Sequence, residues 1–365
     1  NVQTYPEVIS AQYTGANTYS AAGSLATGIP PFVGPDLSSG QLPLPPNYGS
    51  WTYPTPYRRG YAESFNFTIQ RQLGKYSNFQ VGYVGTRDIR PSGGVNINAA
   101  APGTGKAGQP LYQLYGNASV ISALLPIDAS KYNSLQTRFT HRMGGARFGV
   151  SYTLSKAMDA ADNEEGSALT WNWAPVRYRN YALAGFDRTH NFATYGTYAL
   201  PLGPGKSQLK AGFAGAIARG WQINWILSRF SGTPFTVGAS ATSLNAPGNS
   251  QTANQVLPTV AIPGGHGPGQ PYFNVNAFAA VATATFGNTG RNILRGPGVF
   301  NLNAGIFRDF LAWERFKLQF RAEAIGVTNT PQFGNPGATV GSSTFGIISS
   351  AGGERQIRLA LKLSF

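Results

Sequence analysis

Cysteine is absent from the 365 residues, which excludes disulfide frameworks, thiolate metal sites and cysteine nucleophiles and leaves the compartment unfixed by redox chemistry. Charge is scarce. Asp, Glu, Lys and Arg make up 12% of the chain, about half of what a soluble domain carries. The three histidines, His141, His190 and His266, have no i, i+4 partner and no HExxH spacing, so a histidine-based zinc or acid–base centre has no footing. No window of about 18 apolar residues occurs, which excludes a membrane-spanning helix. The densest glycine run, Pro263 to Gly267, has no helix pattern after it to make a phosphate cradle, and no Ser-His-Asp or paired-carboxylate arrangement stands out. A non-enzymatic chain is expected. It begins at Asn1 without Met, basic n-region or apolar h-region, so a removed leader or a longer parent is expected.

What is present favours strands and turns. Glycine (46), proline (25) and 13% aromatics suit pleated surfaces and tight turns rather than helices. A hydrophobic share of 42% is too high for a polar disordered chain. The 28 Lys and Arg against 14 Asp and Glu are scattered, with no basic block and no helix-turn-helix, zinc-finger or RNA-binding signature, so no nucleic-acid partner is expected.

Period-two alternation is the strongest local signal. In Tyr61 to Leu73, Phe65, Phe67 and Ile69 alternate with Ser64, Asn66, Thr68 and Gln70. Ala146 to Ser155 sets Phe148, Val150, Tyr152 and Leu154 against Arg147, Gly149, Ser151 and Thr153. Phe316 to Ala324 and Gln356 to Phe365 repeat the pattern, the latter with Ile357, Leu359, Leu361 and Leu363 on one face. Weaker alternation marks Ser77 to Arg87, Tyr132 to Met143, His190 to Leu200, Gly220 to Phe230 and Phe300 to Phe310, giving about nine strands. Their connections alternate in length. Gly74 to Tyr76, Gly144-Gly145 and Leu311 to Glu314 are tight, and Pro201 to Arg219 is moderate. Between them lie long Gly/Pro/Ser/Asn-rich stretches: Asp88 to Lys131, Ala157 to Thr189, Ser231 to Val299 and Asn329 to Glu354. Short turns on one side and long loops on the other are the habit of an outer-membrane barrel. A soluble sandwich that buries the greasy face is the competing reading, and it has no reason to sort its loops.

The expected fold is therefore all-β: an antiparallel transmembrane β-barrel segment with long external loops, apolar side chains toward lipid and polar ones toward the lumen. Trp221, Trp225, Trp313, Tyr198 and Phe365 are expected near strand ends as interfacial aromatics. Residues 1–60, rich in Pro, Tyr and Gly, read as an external loop segment, and 61–365 as barrel strands. Nine strands leave two open edges in hydrocarbon, so a partner must hold the remaining strands.

The run Gly287-Asn288-Thr289-Gly290-Arg291-Asn292-Ile293-Leu294-Arg295-Gly296-Pro297-Gly298, then Phe300-Asn301-Leu302, resembles the closing region of TonB-dependent receptors of the Oar-like type found in Acidobacteria. So do Leu318 to Glu323 leading into Asn329 to Pro336, Gly220-Trp221-Gln222 through Ser231 to Phe235, and Tyr132 to Gln136. The terminal Leu361 to Phe365 resembles the aromatic-ended signal read by barrel-assembly machinery. The resemblance implies a receptor and transporter of about 22 strands in the bacterial outer membrane, enclosing an N-terminal plug and opened by the TonB complex for a bulky nutrient such as an oligosaccharide, peptide or metal chelate. Plug and TonB box are missing here, so a nicked fragment or a split receptor is expected. The alternative is a structural or adhesive surface protein that assembles through its loops or sheet edges.

Three side-chain groups qualify as sites. Asp159, Asp162, Glu164 and Glu165, with Asn163, form the densest acidic cluster, a calcium loop by its hard oxygen donors or else a solvated loop; no other cofactor is implied. Trp171, Trp173, Arg177, Tyr178, Arg179 and Tyr181 suit sugar rings or anions, or else pack one loop on another. Arg147, Lys317, Arg321, Arg358 and Lys362, with Glu323, would line the lumen wall. Asp187-Arg188-Thr189-His190 reads as a capping network at a strand start.

Overall fold

The computed structural model describes residues 49–365 apart from 128, 163–168, 204–207, 209–211, 263–266, 268, 314–315 and 365, together with 21, 23, 24, 26, 28, 38, 39 and 48. The chain divides into two compact units, Asn1–Tyr48 and Gly49–Phe365. In the first, the Ala26 N–H donates to Ser24 Oγ at 3.2 Å. Within the second unit, Ser50–Thr52 pairs in parallel with Ile121, Ser122 and Ala123.

Nine long strands form one continuous antiparallel wall, with chain order preserved from edge to edge. They are β1 (Tyr61–Leu73), β2 (Ser77–Ile89), β3 (Ala129–Met143), β4 (Ala146–Asp159), β5 (His190–Ala199), β6 (Trp221–Phe230), β7 (Val299–Trp313), β8 (Phe316–Ile325) and β9 (Gln356–Ser364). Each was legible in the alternation to within a few residues, β1 without error. Tight turns can be this short only where the backbone reverses sharply: Gly144, at φ 57°, lies in the left-handed region that a two-residue hairpin demands. The turn expected at Leu311 to Glu314 is tighter, because β7 runs on to Trp313 across a register shift. Pro201 to Arg219 holds a short helix, Gly212–Ala218, that period-two reading did not foresee.

Register turns the alternation of single strands into two faces of one sheet. Phe67 pairs with Tyr83, Tyr83 with Leu135, and Leu135 with Leu154. Farther along, Leu227 pairs with Leu302, Ala322 with Leu359 and Phe320 with Leu361. These side chains share the same apolar face, and at its margins they are bare: Phe67 is 68% exposed, Leu359 71% and Leu361 70%. An apolar surface this extensive is found where hydrocarbon, not water, is the solvent. On the other face, Arg147 pairs with Thr197, Thr197 with Asn224, Asn224 with Gly305, Gly305 with Glu323 and Glu323 with Arg358. Among the described residues the outer edges of β1 and β9 have no strand partner, and both strands are exposed throughout.

The aromatic belt is partly as expected. Trp221, at the start of β6, packs edge-on against Phe320 at 5.9 Å. Trp225 instead sits in mid-strand, beside Gly196, whose missing side chain leaves room for the indole. The Trp313 side chain and Phe365 lie outside the described residues.

Candidate functional site

All four long connections emerge at one end of the wall, where they fold onto one another. Their interior is built in two ways. The first is apolar: Phe235, Val237, Ala253, Phe273, Ala277 and Phe278 form a buried cluster, against which Val340 and Phe345 of the last loop pack. Phe273 is its hub, with ring centroids 5.7 Å from Phe278 and 5.3 Å from Phe345. Backbone bonds fasten the same two loops, Gly238 N–H to Ala338 O and Val340 N–H to Gly238 O.

The second is polar. Asn172 joins three loops: its Oδ1 accepts from Asn96 N–H at 2.7 Å, its Nδ2 donates to Gly248 O at 2.7 Å, and its own N–H donates to Asn249 Oδ1 at 2.8 Å. Asn249 reaches back through Nδ2 to Ala100 O. Asn98, fully buried, donates to Asn117 O and Ser119 O and accepts from Leu111 N–H. These amides stand where sheet ladders would otherwise satisfy buried backbone groups.

Two arginines of the Gly287 to Gly298 run clamp the loop assembly to the wall. Arg291 pairs with Asp159 at the end of β4, both side chains being 6% exposed, and reaches Asp162 at 3.3 Å. Arg295 pairs with Asp187, whose side chain is 1% exposed and whose Oδ1 also accepts from Ala157 N–H at 2.7 Å. Between the arginines, Asn292 adopts φ 55° and donates from Nδ2 to Leu183 O. Beyond them, Gly296 lies where an added Cβ would run into Asn335 Oδ1. The motif is a clamp with its glycine set by contact.

The acidic cluster is thereby divided. The Arg291 guanidinium meets Asp159 and reaches Asp162, which places a positive charge inside the cluster. Glu164 and Glu165 lie outside the described residues, and among the described residues no three His, Asp or Glu side chains converge as metal ligands. Asp187 does serve a strand-start network, with Thr189 Oγ1 donating to its Oδ2.

The aromatic–arginine stretch is split as well. Trp171 is fully buried. Arg179 lies over that ring at 4.6 Å and donates to Gly287 O and Thr289 O at 2.6 and 2.7 Å. Arg177 donates to Asn172 O at 3.0 Å, and burial pushes both guanidinium pKa values below the usual range. Trp173 stacks on Phe286 at 6.2 Å. Tyr178 and Tyr181 are open, at 78% and 43% exposure.

The polar face of the wall holds a hollow of about 990 Å³, lined by Arg147, Tyr195, Asn224, Gly305 and Glu323 among others. Gly149 and Gly305 open it, the Tyr195 ring folding over the former. Asn224 Oδ1 is buried there without a hydrogen-bond partner. An ion pair spans neighbouring strands nearer the turns, Lys317 to Asp309 at 2.8 Å. Sequence reasoning missed Asn172, Arg291 and Arg295. Only the pairing of two arginines with an unusually carboxylate-poor chain could have pointed to the latter two.

Comparison with known proteins fits this geometry. The sequence model of the outer membrane beta barrel domain matches residues 1–358. Among solved structures, the chain is similar to the outer membrane transporter YddB from Escherichia coli, at 8% identity and a TM-score of 0.47 over 87% of this chain and 34% of that one. It is also similar to the ferric citrate transporter FecA, at 11% identity and 0.39 over 83% and 31%, and to the FrpB iron transporter from Neisseria meningitidis, at 10% identity and 0.39 over 85% and 32%. The chain thus spans about a third of the length of these solved proteins. No curated protein sequence matches it. With nine ordered antiparallel strands, one face apolar and one polar, and a family match over nearly its whole length, the chain belongs to the outer membrane beta barrel domain family and resides in the bacterial outer membrane.

Proposed function

We propose that the chain forms part of the wall of a TonB-dependent uptake pore, gated by ligand and admitting a bulky nutrient such as an oligosaccharide, peptide or metal chelate. The observation that carries this reading is the pair of edges, β1 and β9, that have no strand partner among the described residues, on a sheet whose polar face bears charged side chains. In hydrocarbon each unsatisfied backbone group costs several kcal/mol, so further strands must close the barrel. Nine strands already outnumber a small side-chain-filled barrel of about eight, and the closed structure has a lumen wide enough for a plug. Arg147, Arg321, Arg358, Lys362 and Glu323 then face that plug, and the loop assembly forms the external mouth, with Tyr178 open to a ligand. The role is non-enzymatic. Cells carrying the complete protein should take up labelled maltodextrin, peptide or ferric chelate only while the proton gradient is intact. Uptake that persists with an uncoupler, or that is unchanged on deletion of the gene, overturns the reading.

An adhesive surface role has its own support in Leu114 and Tyr115, 70% and 75% exposed at the end of the loop helix Pro110–Tyr115. Replacing both with Ser should weaken cell–cell attachment and spare uptake if that role exists.

A further inference from the structure

The apolar face of the wall carries a groove of about 1000 Å³ near the long-loop end, lined by Tyr152, His190, Phe192, Leu227, Arg229 and Phe300. Register sets Tyr152, Phe192, Arg229 and Phe300 in a single row across β4, β5, β6 and β7. The next row toward the middle of the wall is Val150, Thr194, Leu227 and Leu302. All of them point to the side that meets lipid, and the long loops place the row at the external leaflet. The groove is therefore an aromatic-edged furrow with one cation in its row.

The two polar rings and guanidinium of this furrow are not equivalent. His190 Nδ1 shares a hydrogen bond with the Tyr152 hydroxyl at 2.8 Å, and the rings stack at 6.2 Å, so each satisfies the other. Arg229 is exposed, and among the described residues its guanidinium makes no hydrogen bond, ion pair or ring contact. Arg308, on the same face at the turn end, shows the contrast: its guanidinium lies 4.4 Å from the Phe310 ring and 5.9 Å from the Trp221 ring and donates to Ile217 O. The protein satisfies one lipid-side arginine and leaves the other to its surroundings. A guanidinium at this level is tolerable because the cost of a cation falls toward the interface, and its planar fork fits a phosphate in bidentate fashion.

We propose that the groove binds an outer-leaflet lipid, its phosphate headgroup held by Arg229 and an acyl chain laid past Leu227. Nothing in this assignment depends on transport; it requires only that the wall stand in the outer membrane. Ser231, Gly232, Gly298 and Val299, where the loops begin, border the upper end of the furrow.

The test uses the intact barrel extracted from outer membranes, stripped of lipid in detergent and titrated with dioleoyl phosphatidic acid or dioleoylglycerol under native mass spectrometry. Wild type should bind phosphatidic acid roughly tenfold more tightly than R229Q, R229K should keep most of that binding, and dioleoylglycerol should bind both weakly and alike. Leu227→Trp, which fills the furrow and leaves Arg229 in place, should expel the lipid. Resistance to unheated dodecyl sulfate verifies that each variant is folded. Equal phosphatidic acid binding by wild type and R229Q overturns the proposal, as does full binding by L227W. Displacement by equimolar inorganic phosphate also overturns it, by showing a site for free anions.

Discussion

Between Lys131 and Met143 the backbone is satisfied by strands on both sides, and the side chains are left to sort by face. Between Asn96 and Ser119 the reverse holds: side-chain amides of Asn96, Asn98, Gln109 and Asn117 satisfy the backbone, and little regular ladder remains. The wall thus depends on its pattern and the loop assembly on individual residues. Apart from glycines such as Gly196, whose neighbours fill the space of a side chain, a wall position is constrained mainly in polarity, because the ladder does not use its side chain. A loop position such as Asn172 is constrained in identity, because its oxygen and nitrogen each replace part of a ladder.

This contrast can be broken by substitution. Arg291→Met should be the most damaging change, since it leaves the Asp159 carboxylate buried without its partner, at about 3–5 kcal/mol. Limited proteolysis should then cut the loops between residues 160 and 300 while the wall keeps its resistance to unheated dodecyl sulfate; loss of both together would mean that the two regions are one cooperative unit. Leu359→Arg in the middle of β9 should cost about 2–4 kcal/mol by placing a charge in hydrocarbon, whereas Arg358→Gln beside it, on the polar face, should stay within about 0.5 kcal/mol. Urea unfolding into lipid vesicles measures both, and equal effects would deny that the faces differ. Asn172→Ala should cost about 1–3 kcal/mol, read as faster amide exchange at Asn96 and around Gly248 with exchange in β3 and β4 unchanged. Lys317→Gln should cost less than about 1 kcal/mol, because its pair with Asp309 is partly solvated; a larger loss would mark that ion pair as part of the plug interface.

The same contrast explains what could be read in advance. Strand membership follows from neighbours two residues apart, so Phe65, Phe67 and Ile69 announce β1 without help from the rest of the chain. Loop membership of the interior follows from partners far away in sequence: Asn172 meets Asn249 across 77 positions, Arg291 meets Asp159 across 132, and Asn249 meets Ala100 across 149. No local period encodes such pairs, so neither the burial of Trp171 nor the meeting of Arg291 with Asp159 is legible in the sequence. The arginine that claims Asp159 lay inside a run recognisable by resemblance, but its role there was a matter of three-dimensional neighbours.

By itself the sequence determined the number of wall strands, their two faces, the side on which the loops gather and hence the solvent that the apolar face requires. These are consequences of a two-residue period and of connection length, both local quantities. Only the tertiary structure decided that the loops share one interior, that Arg291 and Arg295 bolt it to the wall and that Arg229, among the described residues, stands unpaired in a lipid-side furrow. Those facts depend on which residues meet across strands and loops, and a chain specifies such meetings only through the register and packing of the whole.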